Sequence, residues 1–105
     1  MKEKERYIAG RIRDEIRALD PKAMVILFGS KARGDSKKDS DWDVIILTDY
    51  YDSYTIEDSF RDILFDLELE TGEAFSIFVY NKRDWNTRHK VTPLYRNIKK
   101  EGVIL

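Results

Sequence analysis

Cysteine is missing from the chain, which excludes disulfides and thiolate metal sites and fits a reducing compartment. An excess of positive charge is missing too: nineteen basic residues stand against twenty acidic ones, for a net charge of -1. An autonomous nucleic-acid binder usually carries a basic excess, so nucleic acid is not expected as the main partner and any contact with it would be local. No apolar run reaches the length of a membrane span. The stretch Met1 to Arg6 is charged and leads into an amphipathic segment, without the apolar core of a signal peptide. A cytoplasmic location without a membrane partner is therefore expected. Internal repeats and low-complexity tracts are also lacking. At 105 residues, one domain spanning 1–105 with a modest core is expected, with no room for a separate recognition domain. If the substrate is large, it or a partner must supply part of the specificity.

What the chain does have is 42% hydrophobic and 37% charged residues, a balance that excludes disorder. Ile8, Ile12, Ile16 and Leu19 recur at helical spacing and predict a helix over Lys2 to Leu19, ended by Asp20-Pro21. Ala23 to Phe28 is a continuous apolar run and reads as a strand buried on both faces. Gly29 to Ser40 reads as a loop holding at most one helical turn, and Trp42 to Leu47 as a second strand. Asp49 to Tyr54 is a tyrosine-rich loop. Thr55, with Asp58 as capping-box partner, is expected to open a helix whose stripe is Ile56, Phe60, Ile63, Leu64 and Leu67. Gly72 is placed to be its left-handed terminus. Phe75 to Tyr80 reads as a third strand, and Lys82 to Lys90 as a helical turn and loop. Thr92-Pro93 resembles a cap and first residue of a short helix to Glu101, stopped by Gly102, with Val103 to Leu105 as an edge strand. The expected class is α/β, a small mixed sheet backed by helices.

The stretch that carries chemistry is Leu27 to Leu47. Gly29 directly after a buried strand lets the backbone take positive φ or approach a ligand closely. If Ser30 opens a helical turn, its free N–H groups make an anion site, to which Arg33 adds charge. Asp41 and Asp43 lie two apart at a strand start, so both carboxylates leave one face while Trp42 leaves the other. Two carboxylates held together repel unless a cation lies between them, and hard oxygen ligands suit magnesium. Each motif alone is commonly a plain turn or a solvated strand edge. Together, with ten residues between Ser30 and Asp41, they are much less expected by chance.

Gly29-Ser30, ten residues and then Asp41-x-Asp43 resembles the signature of DNA polymerase β-type nucleotidyltransferases. Phe-Gly-Ser-Lys-Ala-Arg-Gly followed by Ser-Asp-Trp-Asp is similar to its small stand-alone branch, the minimal nucleotidyltransferases. The resemblance implies the polymerase β-type fold and a nucleoside triphosphate held by Gly29 and Ser30. It further implies Mg2+ held by Asp41 and Asp43, which serve as both catalytic and metal residues. Arg33 matches a frequent position near the nucleotide. The implied reaction is transfer of a nucleoside monophosphate, AMP from ATP or its counterpart from another triphosphate, to an acceptor hydroxyl, with release of pyrophosphate. In related chains the acceptor is often a partner protein, many being encoded beside a helical HEPN-type toxin and acting as its antitoxin.

One departure is plain. The family usually has a third carboxylate on the next core strand, and Ser76 occupies that place here. A neutral serine cannot act as a base. Glu73 would fall on the opposite face, unless the strand starts late enough for it to reach in. A contact-only antitoxin or weakened nucleotide binder is therefore the alternative to an active enzyme. A drug-modifying enzyme is a poorer fit, since so short a chain would need a homo-oligomer to form a drug pocket. Among other residues, His89 reads as a surface residue, and Trp42 and Trp85 read as packing. Lys37-Lys38 and Lys99-Lys100 read as solvated pairs. Tyr50, Tyr51 and Tyr54 are expected beside the site, as a partly packed loop or a partner surface.

Overall fold

The computed structural model describes residues 2–37 and 39–105; Met1 and Lys38, named above in the N-terminal stretch and in a basic pair, lie outside them. Helix α1 covers Glu3–Leu19. Glu5 reaches back to the Lys2 N–H at 3.3 Å, and Asp20, extended before Pro21, ends the helix. Its buried stripe is Ile8, Ala9, Ile12 and Ile16, with Leu19 half-buried at its end. Strand β1 is Met24–Phe28, the single turn α2 is Ser30–Arg33, and strand β2 is Trp42–Thr48.

Helix α3 runs over Ser53–Thr71, two residues earlier than Thr55 implied. The cap is Asp52, whose carboxylate accepts the Tyr54 N–H at 3.0 Å and the Thr55 hydroxyl at 2.9 Å. Aspartate is a better cap than threonine, so the hydroxyl serves the cap instead of forming it. Ile56, Phe60, Leu64 and Leu67 are buried as expected, while Ile63 is only half-buried. Gly72 ends the helix in the left-handed region at φ 75°.

Strand β3 is Phe75–Asn81, followed by α4 (Lys82–Asn86) and a 3-10 turn (Arg88–Val91). Helix α5, Pro93–Glu101, is capped by Thr92, and β4 is Val103–Ile104. Gly102 is not left-handed. It is needed because a Cβ there would lie 2.5 Å from the Ile98 carbonyl oxygen and 2.8 Å from Ile26.

The sheet order is β3-β2-β1-β4, with β1 antiparallel to both β2 and β4 and β2 parallel to β3. Alternation along β2 divides the core. Trp42, Val44 and Ile46 face α1 and α3 in the larger cluster. Ile45 and Leu47 face the other way, under Trp85 of α4 and Ile98 of α5. The middles of β1 and β2 are buried on both faces, while Met24 at the start of β1 is exposed and Asp43 near the start of β2 is half-buried. Truncating Phe60, fully buried beneath α3, would cost about 3–5 kcal/mol.

Candidate nucleotide site

β1 and β2 pair so that Phe28 lies opposite Asp43, which brings Gly29 against the Asp43 side chain. Gly29 has φ 76°, and a Cβ on it would fall 2.3 Å from Asp43 Oδ2. Glycine is thus required twice here, for its conformation and for the space. The next residue opens α2, whose first-turn N–H groups have no preceding carbonyl to bond. Arg33 donates back to the Gly29 carbonyl at 3.0 Å, and Gly34, left-handed at φ 83°, closes the turn.

Ser76 of β3 is the register partner of Asp43 and shares its face. Its Oγ lies 3.5 Å from Asp41 Oδ2. Asp41, Asp43, Ser76 and Gly29 are therefore brought together at one end of the sheet. Glu73 does not join them. Although β3 starts only at Phe75, the Glu73 carboxylate accepts the Trp42 indole N–H at 3.2 Å on the helix-covered face. Arg33 is close enough to draw the Asp43 pKa down, while its guanidinium binds Asp35 at 3.2 Å and Glu101 at 3.5 Å. Both pairs are exposed and weakened by solvent screening, so exchanging them for an anionic ligand costs little.

The tyrosine loop is elsewhere. β2 has seven residues, about 20 Å of extended chain, and Tyr50 follows its far end. The tyrosines are not beside the carboxylates as expected, because the whole length of β2 lies between Asp43 and Tyr50. His89 is half-buried, its ring 4.7 Å from Tyr80. Lys31, to which the sequence assigned no role of its own, is buried with its ammonium 5.2 Å from the Trp42 ring centroid. Opposite-face placement of Trp42 was the only available signal for that contact.

Residues 9–105 match the nucleotidyltransferase domain family. The chain belongs to that family. The nucleotidyltransferase domain also resembles a solved structure described as the crystal structure of the toxin-antitoxin with AMP-PNP, with a TM-score of 0.64 and 21% identity. The alignment covers 90% of this chain and 69% of that one. At that identity the likeness concerns the fold, a mixed α/β sheet of the polymerase β-like nucleotidyltransferase type. No curated protein matches the chain.

The electrostatics of this nucleotidyltransferase domain bear on a metal. Burial pushes the Asp43 carboxyl above its ordinary pKa, and the Asp41 charge pushes it further, against a smaller pull from Arg33. The pair is thus short of positive charge. Among the described residues no cluster of three or more histidine, cysteine or carboxylate side chains could hold an ion unaided. Two hard carboxylates fit magnesium, which commonly takes one or two protein carboxylates and completes its shell with phosphate oxygens and water.

Proposed function

We propose that the domain transfers AMP from ATP, with Mg2+, to a hydroxyl on a partner protein. Gly29, Ser30 and Arg33 hold the triphosphate, and Asp41 and Asp43 hold the ion. The observation that carries this reading is the fit of Gly29 against Asp43, which joins the phosphate turn to the carboxylate pair. When bound, the ion supplies charge that relieves the carboxylate pair and the phosphates. The acceptor oxygen bonds to the α-phosphorus, the bond to the bridging oxygen breaks, and pyrophosphate leaves. The hydroxyl proton passes to water, since Ser76 offers no carboxylate to take it. The toxin-antitoxin description of the structural neighbour supports an antitoxin role. A HEPN-type helical toxin as the partner is proposed from the resemblance to minimal nucleotidyltransferases alone.

Ser76 favours a second reading, a nucleotide-binding or contact-only antitoxin with little turnover. Calorimetry of ATP binding with and without Mg2+, on the wild type and on Asp41→Asn with Asp43→Asn, tests the shared site. Magnesium-dependent binding lost in the double variant is expected; a folded wild type that binds no ATP would remove the site. Label transfer from α-labelled ATP to the partner then separates the two readings. Ser76→Asp is expected to raise that transfer at least tenfold if a missing third carboxylate limits it.

A further inference from the structure

β3 is an edge strand of seven residues, Phe75–Asn81, without a charge, a proline or a bulge. Natural edges are usually blunted by one of these devices, because an open row of N–H and C=O groups pairs with any extended chain. The Trp42 N–H donates to the Ala74 carbonyl at 2.9 Å, which fixes the alternation of the parallel ladder. Ser76, Phe78 and Tyr80 turn their amides toward β2, whereas Phe75, Ile77 and Val79 turn theirs outward. The Phe75 N–H is taken by the Glu68 carboxylate at 3.1 Å. The outward groups of Ile77 and Val79 have no protein partner among the described residues.

Two hollows of about 290 and 740 Å³ flank this edge and share Arg61 and Ile77, so they form one groove along β3. The larger is lined by Ile77 and Val79 from one face of the strand and by Phe78 and Tyr80 from the other, which places it at the edge itself. Five carboxylates line the groove, Asp52, Glu57, Asp62, Glu68 and Asp84, against two guanidiniums. One of these, Arg61, is already paired with Glu57 at 3.1 Å.

We propose that this edge takes up an extended, basic polypeptide segment of a partner protein as a fifth strand. Backbone pairing to Ile77 and Val79 requires an extended chain, and the acidic lining selects lysine or arginine on it. The same charge repels a nucleic-acid backbone and a second copy of this chain. The inference stands apart from the nucleotide chemistry, because the groove uses neither Asp41 nor Asp43.

The test is NMR on the isotope-labelled full chain, titrated with an acetylated and amidated octapeptide of alternating lysine and valine. The Ile77 and Val79 amides are expected to shift downfield and to become protected from exchange. A glutamate-valine octapeptide is expected to bind at least tenfold more weakly, as is a lysine-valine peptide N-methylated at alternate residues. Asp41→Asn with Asp43→Asn should bind the peptide unchanged, which keeps this result separate from the nucleotide site. Equal binding of the N-methylated peptide would overturn the proposal. So would absence of shifts at Ile77 and Val79 at millimolar peptide, stronger shifts with oligouridylate, or a β3-paired dimer of the chain alone.

Discussion

Replacing Gly29 by alanine would put a methyl group 2.3 Å from Asp43 Oδ2 and hold a non-glycine residue at φ 76°. The backbone cost alone is about 1–3 kcal/mol. The expected outcome is a lower melting temperature together with loss of magnesium-dependent ATP binding in calorimetry, because Asp43 must move. Asp43→Asn should separate those two effects. A carboxyl whose pKa is higher in the fold than in the unfolded chain holds its proton more tightly when folded. Metal-free stability is then fully present below the ordinary carboxylate value and declines as pH rises through the Asp43 titration. The asparagine variant is expected to melt above the wild type at neutral pH without metal, to lose that advantage in acid, and to bind no Mg·ATP. A melting temperature below wild type at neutral pH would contradict the assigned burial and repulsion.

At the scale of elements, one polar contact ties the end of α1 to the end of β2. Asp20, at the end of α1, is buried and accepts the Thr48 hydroxyl at 2.7 Å, while Thr48 accepts the Tyr50 N–H at 3.2 Å. Thr48→Val keeps the shape and removes the hydroxyl, leaving a buried carboxylate short of a donor. A loss of about 1–3 kcal/mol in urea unfolding is expected, with ATP affinity unchanged, since Thr48 lies at the far end of β2 from Asp43. This contact was not legible in the sequence, because twenty-seven residues separate its partners and neither has a periodic neighbour to mark it. The elements themselves were readable where an apolar period repeated, as in Ile8, Ile12 and Ile16, or where a residue punctuates, as in Pro93 and Gly72. Thr55 misled because two capping side chains lie three apart and only geometry ranks them. The carboxylate pair, the phosphate turn and the Ser76 departure were visible as residue types at fixed spacing. The partner of Glu73 was not, since a strand boundary decides it.

For the whole molecule, the phosphate turn, β1 and β2 form one packed unit, so a ligand at Asp43 should stabilise the entire fold. Mg·ATP at one hundred times its Kd would add about 2.7 kcal/mol, and the melting temperature would rise by roughly 10 °C. Differential scanning calorimetry with ATP, Mg2+ or both measures this; only the combination should give the full rise. The chain has two tryptophans, and one, Trp42, stands between the two carboxylates in sequence. Its indole is fully buried, hydrogen-bonded to Glu73 and overlaid by the Lys31 ammonium of α2. The site therefore contains its own optical reporter. With Trp85→Phe, the emission of the remaining indole would register any shift of α2 against β2, with no label attached and no turnover needed.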